Sequence, residues 1–326
     1  MEVETSAPAP ESAAFVAAPA AATAPASGPA VAAARFAATI DRIRDTPADA
    51  LIPLAITAGL FAILFAKPFT LLLRDWWTSP EAGHGLLLAP VALWLAWRSG
   101  IAPDAKPNRA VGIAVLLFAV LVRCAAGLAA ELFTMRGSMV LALAGLTAYQ
   151  FGVKQVIRWW LPFALICLSI PLPELITQAL ALPLQFKASQ MGAALLEMRN
   201  VPVQLAGNVI RLPGRELFVT EACSGLRSLT ALISMAVLMG ALLLKTPVAR
   251  IALLLLAIPV AVLINGVRVF LTGFLVFYVS PSLGEGFMHL TEGWLLFIVS
   301  LSVLGAMAAA GGLIERIVRS REVSHG

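Results

Sequence analysis

Long apolar runs, separated by short groups of basic residues, constrain the fold of this chain more than any other feature. A helix needs about 20 apolar residues to cross the hydrocarbon core of a membrane, and most runs approach that length. With 60% hydrophobic and 13% charged residues, the chain holds more apolar surface than a water-soluble fold buries. We therefore predict an all-α polytopic membrane protein with about eight transmembrane helices. The runs lie at about 51–73, 83–97, 110–130, 138–152, 159–171, 226–244, 251–278 and 290–313.

The basic residues predict the orientation of these helices. They cluster at about 35–44, 98–109, 154–158, 245–250 and 316–321. With eight crossings and a cytoplasmic N-terminal tail, all five groups fall on the cytoplasmic side, as the positive-inside rule requires. Membrane orientation thus explains the net charge of +5, and we expect no nucleic acid partner. The three cysteines show no paired spacing, so neither a disulfide framework nor a zinc site is indicated. We expect no cofactor.

Composition divides the chain into three parts. Residues 1–45 are rich in Ala and Pro, which predicts a disordered cytoplasmic tail. Residues 46–316 form the predicted transmembrane domain. Residues 317–326 form a basic cytoplasmic C-terminal tail.

The stretch between Pro171 and Glu221 differs in character from the apolar runs. Polar side chains interrupt it, and we expect Pro183 to break any helix there. We therefore predict a small extracytoplasmic amphipathic segment. At its end, two short runs rich in Val, Ile and Phe flank Pro213-Gly214, which predicts a β-hairpin before the sixth span.

Three chemically competent residues share one predicted depth. Cys223 precedes the sixth span, where a helix N-terminus and Arg227 would both favour the thiolate. Arg268 follows Arg250 by 18 residues, or about 27 Å of helix, and His289 begins the eighth span, so all three reach the outer side. Each also has a structural interpretation: Cys223 as a packing residue, Arg268 as an internal pair, and His289 as a cap.

Together the three residues predict a cysteine peptidase or transpeptidase. The Cys223 thiolate attacks a peptide carbonyl, His289 exchanges the proton, and Arg268 stabilises the thiolate or the oxyanion. Glu292, three residues after His289, shares its helical face. It either orients the imidazole or only caps the helix.

At these residues the chain resembles the exosortase/archaeosortase family of membrane cysteine transpeptidases, from about Trp76 to the last span. The most specific motifs are Glu221-Ala222-Cys223-Ser224-Gly225-Leu226-Arg227, Ile258-Pro259 through Asn265-Gly266-Val267-Arg268, and His289 with Gly293-Trp294. Weaker similarity lies at Gly83-His84-Gly85-Leu86, Ile170-Pro171-Leu172-Pro173-Glu174 and Gly207-Asn208-Val209-Ile210. The resemblance implies catalytic roles for Cys223, Arg268 and His289. The supporting residues that we assign are His84, Arg227, Glu292 and Asn265.

The resemblance also implies a location, a substrate class and partners. It implies an enzyme of the bacterial inner membrane whose site faces outward, linked to exopolysaccharide export. The expected substrates are exported proteins with a C-terminal Pro-Glu-Pro motif, a membrane helix and a basic tail, which are cleaved and passed to an acceptor. The expected partners are these proteins, the lipid bilayer, and a separate chain in place of the C-terminal domain that some relatives carry.

Two other functions compete with this prediction. A transporter would use Arg268 to bind an anionic substrate, with helices broken at Pro90, Pro183 and Pro259. A catalytically inactive component of polysaccharide export is the other. Alkylation of Cys223 distinguishes a transporter from a thiol enzyme, because a transporter should often remain active after it and a thiol enzyme should not.

Overall fold

The computed structural model describes residues 48–79, 81–219, 225–280 and 286–325, with only the backbone described for 48–51, 53–54, 286–294 and 321–325. It divides the chain into two compact units, 1–63 and 64–326, and every element below belongs to the second except the first half of α1, residues 48–63. The helices are α1 (Ala48–Thr78), α2 (Gly85–Ser99), α3 (Arg109–Leu128), α4 (Leu132–Phe151), α5 (Val153–Arg158), α6 (Trp160–Leu168), α7 (Glu174–Glu197), α8 (Leu226–Leu243), α9 (Pro247–Tyr278) and α10 (Gly286–His325). The strands are β1 (Gln204–Ala206), β2 (Val209–Leu212) and β3 (Arg215–Phe218). The predicted tail 1–45 lies outside the described residues, and the predicted domain boundaries stay predictions.

Within the described ranges, six helices are long and apolar enough to cross a membrane. They are Ala55–Thr78, Arg109–Leu128, Leu132–Phe151, Leu226–Leu243, Pro247–Tyr278 and Leu295–Ser320. Helix α2 is apolar but has only 15 residues. The chain is therefore a polytopic helical membrane protein, while the count of eight crossings stays a prediction.

The fifth predicted span, 159–171, is much shorter than the sequence suggested. Helix α6 has nine residues, or about 13.5 Å of helix, against a hydrocarbon core of about 30 Å. It ends because Pro171 has no N–H to continue the ladder and Pro173 holds its predecessor in an extended conformation. Helix α6 by itself is therefore shorter than a hydrocarbon core of that thickness, and the fifth crossing stays a prediction.

The expectation that Pro183 breaks any helix was wrong, and the breaks at Pro90 and Pro259 that a transporter would need are not observed either. Pro90 lies inside α2, Pro183 inside α7 and Pro259 inside α9, and each helix continues past its proline. Membrane helices tolerate proline where neighbouring groups satisfy the freed carbonyls. The broken helices invoked for a transporter are therefore not found at these three positions.

Helix α7 packs along α9 and is not an isolated surface segment. A Cβ added to Gly192 of α7 would meet the Val269 side chain at 2.5 Å, and one added to Gly266 of α9 would meet Met191 at 2.8 Å. Glycines at these two points let the helices approach closely, as is usual where membrane helices pack.

The three strands form one antiparallel sheet in the order β1-β2-β3. Strands β2 and β3 lie in the stretch where the sequence places a hairpin and turn at Pro213-Gly214, whereas β1 was not predicted. Ile210 of β2 and Val219 after β3 are buried in one cluster with Val269 and Val276 of α9. The sheet thus packs on the C-terminal half of α9.

Basic loops are tied to one another in two places. After α2, Ser99 O accepts hydrogen bonds from Arg158 Nε at 3.1 Å and Nη2 at 2.7 Å, and Asp104 pairs with Lys154. Between α8 and α9, Glu315 of α10 accepts from the Thr246 backbone N–H at 2.8 Å. The basic group at 98–109 therefore lies beside the group at 154–158. The group at 245–250 lies beside the residue that precedes the basic group at 316–321.

A partly buried ion pair joins α1 to α4. Arg136 Nη2 lies 2.6 Å from Asp75 Oδ2, and the Arg136 side chain is 3% exposed. Burying a guanidinium is costly unless a carboxylate accompanies it, so this pair fixes the end of α1 against α4.

Candidate active site

The three predicted catalytic residues are described to different extents. Arg268 lies in α9 and is partly buried. His289 lies in the first turn of α10 and Glu292 one turn later, but their side chains are outside the described part. Cys223 lies outside the described residues. The described residues on either side of Cys223 in the sequence, together with Arg268, therefore define the geometry of the site.

Helix α8 begins in tight contact with α9. Gly225, the residue before α8, is buried and has φ +78°, a left-handed conformation that favours glycine. A Cβ at this position would lie 2.7 Å from Asn265 Cγ and 2.9 Å from Asn265 Nδ2. Asn265, which is 5% exposed, thus packs directly on the backbone where α8 starts.

A second contact fixes how α8 and α9 run past each other. A Cβ on Gly240 would lie 3.6 Å from Arg250 Cα. Gly225 and Gly240 are 15 residues apart, as are Arg250 and Asn265. The two helices are therefore antiparallel and keep their register along their length.

This register sets the level of Arg268. Arg268 follows Asn265 by three residues, or about 4.5 Å along the helix axis, and so lies just beyond the first residue of α8. Its carbonyl accepts a hydrogen bond from Thr272 Oγ1 at 3.0 Å. Arg268 is thus at the level where the chain enters α8.

The first turn of α10 lies toward the same end of the molecule. A Cβ on Gly311 would lie 3.2 Å from Leu244 Cδ2, so α10 passes the C-terminal end of α8 there. His289 precedes Gly311 by 22 residues, about 33 Å of straight helix, and Gly225 precedes Leu244 by 19 residues, about 28 Å. Since α8 and α10 run in the same direction from this contact, His289 is within about one turn of the level of Gly225.

Asn208 holds the chain where it leaves the sheet. The Val219 N–H donates to Asn208 O at 2.9 Å, and Asn208 Nδ2 donates to Val219 O at 3.2 Å. Val219 is 2% exposed. The segment 220–224, which carries Cys223, therefore connects two fixed points, Val219 and Gly225.

The sequence analysis assigned no role to Asn208 or Gly225. Both lie in motifs that it quoted for the family resemblance. Their positions beside turns were visible in the sequence. Their partners were not, because Asn208 bonds 11 residues away and Gly225 contacts another helix.

Of the predicted supporting residues, His84 and Arg227 are described as well as Asn265. His84 Nε2 lies 3.1 Å from Leu168 O, and beside it Trp76 Nε1 donates to Ser169 O at 2.8 Å. Both side chains thus meet backbone carbonyls at the C-terminal end of α6, where carbonyls have no partner within the helix. Arg227 is exposed in the first turn of α8 and follows Cys223 by four residues in the sequence.

This end of the molecule carries two cationic side chains among the described residues. Arg227 and Arg268 both belong to it, and the first turn of α8 adds the positive end of the helix dipole. Such surroundings favour a thiolate and an oxyanion over their neutral forms. Among the residues that the structure describes, no group of three His, Cys, Asp or Glu side chains could hold a metal ion.

Comparison with known protein families gives one match. The model of the transmembrane exosortase family matches residues 76–306, which include the whole of α2 to α9 and most of α10. Comparison with curated proteins and with solved structures finds no match.

Proposed function

Because the chain belongs to the transmembrane exosortase family, we propose that it is a membrane-embedded cysteine transpeptidase or protease with Cys223, Arg268 and His289 as its catalytic residues. Family membership supports a transpeptidase-type role in general. The proposed substrates are exported proteins with a C-terminal Pro-Glu-Pro motif, a membrane helix and a basic tail. The proposed site faces the extracytoplasmic side of a bacterial inner membrane.

The contact between Gly225 and Asn265 carries this proposal. Cys223 precedes Gly225 by two residues, and the covalent chain allows at most about 7 Å between their Cα atoms. Asn265 lies one turn before Arg268 on the same face of α9. This short tether between position 223 and Gly225 supports the assignment of Arg268 as the cation that acts beside the nucleophile.

The proposed reaction has two halves. In the first, the Cys223 thiolate adds to the carbonyl carbon of the scissile bond, and the electron pair moves onto the carbonyl oxygen. Arg268 stabilises that oxyanion. As the oxyanion collapses, the C–N bond breaks, and protonated His289 donates its proton to the departing amine. A thioester between Cys223 and the retained part of the substrate remains.

In the second half, an acceptor nucleophile attacks the thioester carbonyl. Neutral His289 removes the proton of the acceptor, and the C–S bond breaks to release the Cys223 thiolate. An amine or alcohol acceptor completes a transfer, whereas water completes a hydrolysis. Both outcomes restore the same thiolate and the same protonated histidine.

The grouping of basic loops supports the proposed orientation. The loops holding Arg158 and Lys154 pair with the loop after α2, and Thr246 bonds to Glu315 beside the basic end of α10. By the positive-inside rule these ends face the cytoplasm, together with both termini. Gly225 and Arg268 lie at the opposite ends of α8 and α9, hence toward the extracytoplasmic side.

A reporter co-expressed with this chain tests the proposal. The reporter is a tagged protein with a C-terminal Pro-Glu-Pro motif, a membrane helix and an Arg-rich tail, and the readout is loss of the tail. We expect processing by wild type and none by Cys223→Ala. The matched controls are Cys124→Ala and Cys167→Ala, which change the other two cysteines of the chain and should process the reporter normally. Equal processing by Cys223→Ala and wild type would exclude the cysteine mechanism.

A further inference from the structure

Strand β3 is an edge strand, and it is the element that precedes the proposed nucleophile in the sequence. In the order β1-β2-β3, only β2 lies beside it, and no strand in the described part of the chain lies on its other side. Cys223 follows the last residue of β3 by five residues. Edge strands expose a row of backbone donors and acceptors that an extended peptide can pair with.

The hydrogen-bond pattern identifies which residues face this open edge. The Val219 N–H points to β2, because it donates to Asn208 O. Backbone groups alternate in direction along a strand, so Leu217 faces β2 as well, whereas Glu216 and Phe218 face away from it. Each of these two residues offers one N–H and one C=O to a neighbouring strand.

The edge belongs to a rigid part of the molecule. Ile210 and Leu212 of β2 are buried on α9 and α7, and Leu217 packs against the same cluster. On the opposite face of the sheet, Arg211 and Glu216 form an ion pair at 2.8 Å, and Phe218 is 58% exposed. A peptide that pairs with β3 would therefore meet a fixed backbone with an apolar side chain beside it.

We propose that an extended segment of the protein substrate binds as a fourth strand along β3, with hydrogen bonds to the backbones of Glu216 and Phe218. This inference rests on the proposed function. Proteases benefit from extended substrates because every carbonyl is then accessible, and pairing along β3 aligns the segment with the chain that continues to Cys223. Continuity between the edge and the nucleophile favours the substrate over a second copy of this chain as the occupant.

Proline substitution at the edge tests this pairing with the reporter. Phe218→Pro removes an N–H that points away from β2, so the sheet keeps its internal hydrogen bonds. We expect the rate of tail removal to fall at least about tenfold, the loss that one or two hydrogen bonds produce. Phe218→Ala keeps the N–H and should lose less. Leu205→Pro makes the same change at the outward-facing position of β1, the far edge, and should process normally.

Each outcome decides between the alternatives. Normal processing by Phe218→Pro, or equal losses in Phe218→Pro and Phe218→Ala, would overturn the pairing while leaving the role of Cys223 intact. Processing by Cys223→Ala would instead overturn the proposed function. If Phe218→Pro does not accumulate in the membrane, a benzoylphenylalanine crosslinker at position 216 of the Cys223→Ala variant gives the answer. A crosslink to the reporter supports substrate pairing, and a crosslink to a second copy, or none to the reporter, overturns it.

Discussion

Replacing Gly225 with alanine should destabilise the protein strongly, because the change affects both the backbone conformation and the packing of α8 on α9. Two costs add at this position. The residue has φ +78°, a conformation that costs an L-residue about 1–2 kcal/mol. The new Cβ would also lie 2.7 Å from Asn265 Cγ, and overpacking of this kind costs about 1–3 kcal/mol. We therefore expect a loss of about 2–5 kcal/mol in the free energy of unfolding.

Gly214 provides the matched control. Its φ of +76° is nearly the same, but a Cβ there would meet nothing within 4 Å. Gly214→Ala should therefore lose only the conformational term, about 1–2 kcal/mol. The difference between the two variants isolates the contact between Gly225 and Asn265.

Equilibrium unfolding in detergent micelles measures both losses. SDS is titrated into the purified protein, and tryptophan fluorescence reports the folded fraction. Equal losses for Gly225→Ala and Gly214→Ala would refute the close packing of α8 on Asn265, and with it the register that sets the level of Arg268. A larger loss for Gly225→Ala, together with loss of reporter processing, would support that register.

Two further predictions concern ion pairs outside the proposed site. Asp75→Asn should lower the free energy of unfolding by about 3–5 kcal/mol in the same SDS titration, because it leaves the buried Arg136 without its carboxylate. The exposed pair of Lys154 with Asp104 provides the comparison. A loss for Asp75→Asn no larger than that for Lys154→Met would contradict this prediction. The hydrogen bond from Lys154 lowers the pKa of Asp104, so its stabilising effect is present above the unfolded-state value of about 3.9 and is lost as the pH falls through the folded-state value. Lys154→Met should therefore weaken the acid dependence of the unfolding midpoint below about pH 4, and an unchanged dependence would count against this contribution.

The membrane character of the chain was predictable because it depends on local composition. Each apolar run signals a helix without reference to the rest of the chain, and the observed α3, α8 and α9 lie where the sequence places them. The family was predictable from short motifs around Cys223 and Arg268, and the family match confirms it. The catalytic roles of these residues stay predictions.

Proline was where local reasoning failed. At Pro183 a local rule predicts a helix break, yet α7 continues because it packs on α9. Near Pro171 and Pro173 the same rule describes the result well, since α6 ends there after nine residues. The difference lies in the surroundings of each proline, which the sequence does not reveal.

By itself the sequence determined that this is a polytopic helical membrane protein of the transmembrane exosortase family, because both properties reside in contiguous residues. Only the tertiary structure decided the register of α8 against α9, the contact of Gly225 with Asn265, and the bond between His84 and Leu168, 84 residues away. Those features depend on which helix faces meet and at what offset. Apolar side chains tolerate many offsets, and close approaches at a few glycines select one of them.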